Sequence, residues 1–515
     1  MKWCLFLVLF WIFHAKAQTG LNISYDFESL AAGFSSIESH NDTIIIYGVV
    51  VDNETKTTGL LFSKIDTFGN VLSSTTYFDK DGDKFTRPYQ NSFIKLSDNS
   101  GYVGIGQLFA KSNGYFIHFD NEGNVINYKE YLDTVYTFNH FKEILEIQNN
   151  SFLIVGNEAF EDQDYSNGFI LKINLSGEII WETKITDSPN VIFLGSIVEV
   201  DTNRYLVGGL ETDQGSVSVL ERKYSSLLLQ IDTDGNVIST WNGERSLEEC
   251  GVGNMELTPL HGIMYNSLKG EYNKEFNDLF TQPILIQRDS SYELIVRDTF
   301  GAPQGSTFNI TNIHSLSNGD WLTVGVKPQK YSIPPDAESI NSLSGWINRF
   351  EENGDNIWSV TDTAFWSSQT GSNNLLYDAV ELSSGSIIAC GYNRTNEPEP
   401  KDWGWLLKVS KDGCLDTLCN TVAIEALLRN PDDRVVVFPN PAAEFINFEL
   451  PDNSGHFIVE IYSLEGIMMD SEIINYGISS FAIDKTKYLP GLYLWLIKTQ
   501  DGQFLGSGKV IVVSY

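Results

Sequence analysis

The stretch Ile231-Asp-Thr-Asp-Gly-Asn-Val-Ile-Ser-Thr-Trp241 decides the fold, because related copies of it punctuate most of the chain. It reads as the end of one strand, a tight turn and the start of the next strand. Asp232 and Asn236 suit turn positions, and Gly235 supplies a positive φ. Apolar alternation restarts at Val237. The sequence therefore predicts a β-hairpin here and at every copy.

The copies share a polar residue three positions before a turn glycine. They are IDTFGNVLSS from Ile65, FDNEGNVINY from Phe119, INLSGEIIWE from Ile173, FEENGDNIWS from Phe350 and VSKDGCLDT from Val409. Successive turn glycines are 54 to 59 residues apart, except that Gly235 and Gly354 are separated by 119. This doubled interval predicts a divergent copy around Tyr292, which replaces the glycine. The chain then contains seven units.

Each unit carries the signals of four short strands, and its second strand ends in glycine. Repetition at this period with four strands per unit is typical of β-propeller blades. The seventh unit lacks a fourth strand after Cys414, whereas Leu21 to Phe27 precedes the first unit and has no other partner. We therefore predict an all-β fold. A seven-bladed β-propeller occupies residues 18–429, and its N-terminal strand closes the ring.

The N-terminus has the features of a cleavable signal peptide over residues 1–17. Lys2 precedes the apolar run Trp3 to Phe13, and Ala15-Lys-Ala17 stands before Gln18. No later stretch is long and apolar enough to span a membrane. We expect a secreted monomer that begins at Gln18.

Charge and cysteine content narrow the range of partners. The 515 residues include 34 basic and 67 acidic side chains, for a net charge of −33. Such a field repels phosphate backbones, which excludes nucleic acid as a partner, and it favours solubility outside the cell. Cys414 and Cys419 are candidates for a disulfide that closes a small loop in an oxidising compartment. Cys250 and Cys390 have no predicted pairing.

From about Asn430 the repeats give way to another pattern of short strands. It predicts a small immunoglobulin-like β-sandwich over residues 430–515. Its motifs are Phe438-Pro439-Asn440-Pro441, Ile461 to Gly466, Leu489-Pro-Gly491-Leu-Tyr493 and Gly508-Lys509 to Val513. With these motifs the region resembles the type A C-terminal sorting domain of the type IX secretion system of Bacteroidetes.

That resemblance implies a partner, the type IX secretion machinery, and export across the outer membrane. The protein would then be attached to the cell surface or released. The matching sorting-motif residues are Pro439, Asn440, Pro441, Gly466, Gly491, Tyr493 and Lys509. The repeats also look like the Asp-x-x-Gly-Asn-x-x-Trp units of large secreted proteins of the same phylum. That second resemblance informs the fold and not the activity.

Catalytic and metal motifs are weak in this sequence. There is no Ser-His-Asp order, zinc spacing or phosphate loop in a supporting context, so we predict no catalytic residue, no metal and no cofactor. The segment Asp79-Lys-Asp-Gly-Asp83 starts like a calcium loop. However, Lys84 and Gln90 occupy the positions of the required glycine and the closing acid.

Long variable loops should share one face of the propeller, and they carry the aromatic residues expected to bind a ligand. The ligand-binding candidates are Trp241, Trp366, Tyr136, Phe138, Tyr89 and Trp403. The leading prediction is a secreted or surface-attached propeller that binds a glycan, peptide or protein. One alternative is an enzyme that degrades polysaccharide or peptide with paired carboxylates in the central channel. Another is a passive surface or adhesion component.

Overall fold

In a computed structural model the chain forms two compact units, of which one is Gln18–Gly413 and the other contains Cys414–Tyr515. The structure describes residues 21–131, 138–148, 150–159, 166–186, 190–213, 223–273, 278–300, 309–331, 340–364, 373–395, 400–415, 436–438, 442, 445–449, 457–462, 468–474, 480–484, 488, 491–499 and 504–513. The predicted signal peptide lies outside these residues. All regular elements in the described ranges are β-strands. No helix among them is long and apolar enough to cross a membrane.

The first unit begins with one strand, β1 (Leu21–Tyr25), and continues as small antiparallel sheets of sequential strands. The first three four-stranded sheets are β2 (Ala31–His40), β3 (Thr43–Val51), β4 (Thr58–Ile65) and β5 (Val71–Tyr77); β6 (Phe93–Lys95), β7 (Gly101–Gln107), β8 (Gly114–Asp120) and β9 (Val125–Tyr131); and β10 (Phe138–Ile147), β11 (Ser151–Ala159), β12 (Ser166–Asn174) and β13 (Ile179–Ile185). The next two are β14 (Val191–Asp201), β15 (Arg204–Thr212), β16 (Tyr224–Asp232) and β17 (Val237–Asn242); and β18 (Met255–Leu257), β19 (Ile263–Asn273), β20 (Asp278–Arg288) and β21 (Leu294–Thr299).

The remaining strands of this unit form two groups. They are β22 (Asn309–Ser315), β23 (Trp321–Tyr331), β24 (Ile340–Phe350) and β25 (Asn356–Asp362); and β26 (Asn373–Glu381), β27 (Ile387–Thr395) and β28 (Lys401–Val409). A parallel pairing of Leu343 with Asn373 joins the two groups. Strand β1 pairs antiparallel with β28, so that Leu21 lies opposite Lys408. The first strands of the sheets and groups are β2, β6, β10, β14, β18, β22 and β26. Each contacts the next in sequence order, and β26 contacts β2. The unit is therefore all-β and propeller-like.

Burial follows the order of strands within a sheet. Strand β3 has the sequence TIIIYGVVV and is buried over almost its whole length, as is β4. Strand β5, with the sequence VLSSTTY, is mostly exposed. β-branched and aromatic residues favour such strands, and a strand that is buried on both faces reads as a continuous apolar run. The core therefore lies between neighbouring sheets, around their middle strands.

A bulge recurs in the first strands β2, β10, β14, β22 and β26 and explains the glycines of the second strands, which lie inside those strands and not at their ends as the sequence predicted. The register shifts after Phe34, Phe141, Leu194, Ile310 and Leu376. At the bulge a first-strand carbonyl approaches the second strand. A Cβ added at Gly48 would lie 2.2 Å from the Gly33 oxygen, too close for any side chain. In the fourth sheet this glycine is Gly209 and not the adjacent Gly208, because Gly209 faces the Phe193 oxygen.

The turn at Asp232 is closed by the side chain of that residue. One carboxylate oxygen accepts hydrogen bonds from the backbone N–H groups of Asp234 and Asn236, each at 2.9 Å. The other accepts a hydrogen bond from the Asn236 amide at 3.0 Å. These hydrogen bonds lower the pKa of Asp232. Gly235 has φ +82°, and in the divergent copy Tyr292 occupies the same position with φ +65°.

The second unit contains two small sheets with one shared hydrophobic cluster. Its strands are β29 (Val436–Phe438), β30 (Phe445–Glu449), β31 (Phe457–Tyr462), β32 (Met468–Ile474), β33 (Ser480–Asp484), β34 (Gly491–Thr499) and β35 (Phe504–Val512). Strand order is β29-β30-β33 in one sheet and β32-β31-β34-β35 in the other. Phe448 from the first sheet packs with Val459 and Trp495 from the second. The unit therefore has a core of its own.

Candidate functional site

Polar side chains from several sheets meet where the first strands surround the centre of the first unit. Asp378 Oδ1 accepts a hydrogen bond from Asn312 Nδ2 at 2.8 Å and lies 2.9 Å from His314 Nε2. Its Oδ2 accepts the backbone N–H of Ile37 at 3.0 Å. Asn312 Nδ2 also donates to Asn91 Oδ1 at 2.8 Å. We call Glu38, Glu143, Glu256, His314 and Asp378 the axial cluster.

Bulges place part of this cluster. In β2, β10, β14, β22 and β26 the residue after the bulge is polar, and these residues are Ser36, Glu143, Ser196, Asn312 and Asp378. A bulge changes the direction of the strand locally, so the same position in these five strands delivers a polar group to the centre. Glu38, Glu256 and His314 lie one to two residues before the ends of their strands.

His314 lies between two carboxylates. Its Nδ1 is 3.5 Å from Glu256 Oε1, and its other ring nitrogen faces Asp378. Burial alone would lower the pKa of His314, but hydrogen bonds and charges from the two carboxylates raise it to about 10. Burial likewise opposes ionisation of Glu256, yet His314 keeps the pKa of that carboxyl below its usual range. His314 and Glu256 are therefore both charged at neutral pH. The His314 side chain remains 24% accessible, which leaves it open to solvent.

The other two glutamates are held toward their neutral forms. Burial, followed by the negative charge of Asp378, raises the pKa of Glu38 to about 7. Burial raises the pKa of Glu143 to about 8, although hydrogen bonds with Ser196 and Asn91 oppose the shift. Glu143 Oε2 is buried and has no hydrogen-bond partner. The axial cluster thus combines ionised and protonated carboxyl groups near neutral pH, as general acid–base chemistry requires.

Replacing Glu143 by glutamine should stabilise the protein in mild alkali. The pKa of Glu143 is raised in the folded chain, so its stabilising contribution is complete below the unfolded pKa and is lost as pH rises through about 8. Glu143→Gln removes the charge that must be buried there. At pH 9 we expect its free energy of unfolding to exceed that of the wild type by about 2 kcal/mol.

The measurement is urea unfolding at pH 5 and pH 9. At pH 5 the variant and the wild type should be nearly equal. Glu122→Gln, in an exposed turn, is the matched control and should show no pH-dependent difference. A variant that is equally or less stable than the wild type at pH 9 would contradict the raised pKa.

The connection between the first two sheets crosses the centre at the other end of the first strands. We call residues 86–92 the crossing segment. Arg87 Nη1 donates to Tyr377 Oη in β26 at 3.0 Å. The Tyr89 ring lies beneath Lys142 of β10, with Nζ 3.4 Å from the ring centroid. Asn91 contacts Asn312 of β22 and accepts the Ile144 N–H of β10. The segment therefore reaches three different strands, β10, β22 and β26.

Among the aromatic residues predicted to bind a ligand, Tyr89 lies in a loop as expected, on the crossing segment. Trp241 does not, because it belongs to β17, where it packs under the Arg288 guanidinium with Cζ 4.5 Å from its ring. Trp403 lies in β28, and Lys401 Nζ is 4.2 Å from its ring centroid. Phe138 begins β10. Tyr136 and Trp366 lie outside the described residues, and the binding role of all six stays a prediction.

Trp241 is held in its strand by packing against Arg288. Arg288 Nη2 bonds Glu249 at 2.8 Å, and its Nε donates to Tyr265 Oη at 2.7 Å. This buried ion pair fixes the guanidinium against the indole. The alternation of strand β17 places Trp241 on the side that faces the neighbouring sheet.

Sequence reasoning missed the axial cluster because its members are far apart in the chain. A signal does exist in the repeat. Two positions after the polar residue at the bulge, β10, β14 and β26 carry apolar residues, which are Leu145, Val198 and Val380. The bulged strands β2 and β22 carry Glu38 and His314 there, and Glu256 lies in β18, whose pairing shows no bulge. Charged side chains at an apolar repeat position would have marked the site.

The carboxylates of the acidic segment that starts like a calcium loop have partners within the protein. Asp79, Asp81 and Glu130 bring carboxylate oxygens within 4.8 Å of one another, a spacing compatible with a metal ion. Lys111 Nζ, however, lies 3.1 Å from Asp81 and 3.4 Å from Glu130. Asp79 Oδ2 accepts the backbone N–H groups of Asp81 and Asp83. The ammonium group supplies the counter-charge, and the carboxylates hold the loop.

The sorting-motif residues are described only in part. Gly491 begins β34, Tyr493 is buried in the second unit, and Lys509 in β35 is exposed. Pro439, Asn440, Pro441 and Gly466 lie outside the described residues, as does Cys419 of the candidate disulfide. Within the described ranges, burial raises the pKa of the Cys250 thiol to about 11 and that of Cys390 well above its usual value. Neither thiol is activated.

Solved structures similar to this chain include several enzymes. A PL25 ulvan lyase bound to -[GlcA(1-4)Rha3S]- is 9% identical with a TM-score of 0.47, over 79% of this chain and 99% of the lyase. The acylaminoacyl peptidase of Pyrococcus horikoshii is 10% identical with a TM-score of 0.38, over 84% of this chain and 60% of the peptidase. The α-L-arabinofuranosidase arb93a of Fusarium graminearum is 10% identical with a TM-score of 0.37, over 61% and 91%. Similarity at this level does not bear on chemistry.

The C-terminal tail provides the informative match. No curated protein sequence matches the chain. Residues 436–513, however, match the family described as the secretion system C-terminal sorting domain. These residues cover β29 to β35 of the second unit. The chain therefore carries a C-terminal sorting domain, and the protein is secreted through the type IX system to the cell surface or the extracellular space.

Proposed function

We propose that this protein is an extracellular binding module built on a seven-bladed β-propeller over residues 18–429. The antiparallel pairing of β1 with β28 supports closure of the ring by the N-terminal strand. The ligand is a glycan, peptide or protein. A signal peptide over residues 1–17 and an immunoglobulin-like tail complete the proposed architecture, and the protein acts as a monomer.

The crossing segment is the observation that carries this proposal. It presents Arg87 and Tyr89, both half-buried, at one end of the first strands. Around them stand Lys142, Tyr377 and Tyr392 from β10, β26 and β27. A rigid scaffold that holds aromatic and charged groups together at its centre is typical of a binding surface. We call these five residues the central mouth.

The test is a binding screen with the chain that lacks residues 430–515. Immobilised glycans and peptides should retain it saturably, and Tyr89→Ala should weaken retention without changing the melting temperature by more than a few degrees. Phe68→Ala is the matched control, because Phe68 is an exposed ring in an Asp-x-x-Gly turn. If Phe68→Ala weakens binding and Tyr89→Ala does not, the binding surface lies on the opposite face.

The axial cluster favours a second candidate, a hydrolase or lyase that acts on polysaccharide or peptide. In that case a protonated glutamate, Glu38 or Glu143, would act as general acid, and Asp378 would assist from another sheet. Release of soluble products that Asp378→Asn abolishes would establish the enzyme. Saturable binding with no product would reject the enzyme and support the binding module.

A further inference from the structure

Arg87 differs from the other arginines that the structure describes. Of these seven residues, six form an ion pair with a carboxylate, and they are Arg204, Arg245, Arg288, Arg297, Arg349 and Arg394. Arg87 forms none within the described ranges. In a chain with 67 acidic side chains and 34 basic ones, an arginine without a carboxylate partner is unexpected. A half-buried cation normally has its charge compensated.

The guanidinium of Arg87 is held in place by aromatic groups. Its Cζ lies 3.8 Å from the centroid of the Tyr392 ring, and Tyr392 stacks with Tyr377 at 5.9 Å. The one side-chain hydrogen bond described for it runs from Nη1 to Tyr377 Oη. Nε is buried and has no hydrogen-bond partner. Gly33 has no side chain, and this leaves space beside the Arg87 Nε. A Cβ added at Gly33 would lie 3.3 Å from that nitrogen.

Lys142 is a second cation of the same kind. Its ammonium group lies over the Tyr89 ring and forms no ion pair among the described residues. Burial lowers the pKa of Lys142 to about 8, with no carboxylate to offset the loss of solvent. The pKa of His140 is also lowered, by burial and then by the positive charge of Lys142. The positive charge of Lys142 therefore acts on His140 and is not offset by a carboxylate among the described residues.

The two cations lie at the same end of the first unit. Lys142 is the extra residue of the bulge in β10, and Tyr377 is the extra residue of the bulge in β26. These are equivalent positions of the repeat. Arg87 bonds one of them and Tyr89 lies under the other, and both belong to the crossing segment. The central mouth is thus a cationic and aromatic surface on an acidic protein.

We propose that the central mouth binds a carboxylate or sulfate group of the ligand, with Arg87 and Lys142 supplying the positive charge. Guanidinium groups bind both oxyanions through a fork of paired N–H donors. An aromatic ring stacked on the guanidinium fixes the direction in which this fork points. The inference rests on the proposed function, because it assigns a negative charge to the ligand of the proposed binding module. The proposal excludes an uncharged group as the one that Arg87 binds.

The test uses the full secreted chain and two small probes, sodium glucuronate for the carboxylate and sodium sulfate for the sulfate. The readout is the rate at which the Lys142 amine is acetylated at pH 8, followed by mass spectrometry. At least one probe should protect Lys142 saturably, relative to sodium chloride at the same ionic strength. Glucose, the neutral control, should not protect it. Arg87→Met should raise the half-protecting concentration by about tenfold.

Arg204→Met is the matched control, because Arg204 is exposed and paired with Asp201. It should leave the half-protecting concentration unchanged. If Arg87→Met does not fold, Arg87→Lys replaces it and should raise that concentration by about threefold, because charge is retained and the fork is lost. Protection no greater than with chloride, or protection that is the same in the arginine variants, would overturn the proposal.

Failure of this inference and failure of the binding module are distinguishable. If the glycan and peptide screen yields a ligand and Arg87→Met leaves its binding unchanged, the anion site is refuted and the binding module stands. If glucuronate or sulfate protects Lys142 and the screen yields no ligand, the anion site stands on its own.

Discussion

A chain that ends at Arg429 is expected to remain inside the cell envelope, whereas the full chain reaches the cell surface or the medium. The deleted part contains residues 436–513, which match the sorting domain. In a host with a type IX secretion system, the extracellular fraction of the protein should fall from most of the total to background. The measurement is an immunoblot of cell, surface and medium fractions.

Loss of export must be separated from loss of folding. The hydrophobic clusters of the first unit are formed by its own strands, from Leu21 to Leu406, and the cluster of the second unit runs from Ala442 to Val512. Each unit can therefore bury its core without the other. The shortened chain should keep the melting temperature of the first unit. As a matched control, residues 430–515 fused to an unrelated periplasmic protein should carry it outside. Export of the chain that ends at Arg429 would disprove the sorting role.

The turn at Asp232 was predictable from sequence because its chemistry is local. Asp232, Gly235 and Asn236 close their turn through contacts within five residues, so composition and spacing reveal the geometry directly. The glycine inside the second strand is local too, since Gly48 faces the bulge of β2, the strand that precedes its own in sequence. Strand order within each sheet follows from the short turns.

The axial cluster and the central mouth depend on contacts between distant parts of the chain. His314 of β22 meets Asp378 of β26 and Glu256 of β18, which are 64 and 58 positions away. Arg87 meets Tyr377 across 290 positions. No spacing rule connects such residues. Aromatic content alone also misled, because the packing of Trp241 against Arg288 depends on the neighbouring sheet.

Removing β1 should cost the protein a large part of its stability. A chain that begins at Ser29 loses Leu21 and Tyr25, which are 4% and 8% exposed and belong to the cluster around Phe34 and Leu406. It also exposes the edge of β28. Burial of two such side chains and the lost strand pairing together contribute about 5 kcal/mol to the free energy of unfolding.

Polar contacts of β1 add to the expected loss. Tyr25 Oη donates to the Gly69 carbonyl at 2.9 Å, which ties the strand to the first Asp-x-x-Gly turn. Trp405 Nε1 donates to Asn22 Oδ1 at 2.8 Å, and Asn393 donates to Ser24 at 2.8 Å. Without β1 the indole N–H of the buried Trp405 loses its partner. An unsatisfied buried donor costs more than the hydrogen bond contributed.

Urea unfolding of the first-unit transition measures the effect. The matched control is a chain that begins at Leu21, which keeps the whole of β1 and should unfold as the mature protein does. Tyr25→Phe removes the hydroxyl contact with Gly69 alone and should cost about 1 kcal/mol. The shortened chain should also associate through the free edge of β28, which size-exclusion chromatography detects. Equal unfolding midpoints for chains that begin at Leu21 and at Ser29 would show that β1 does not close the ring.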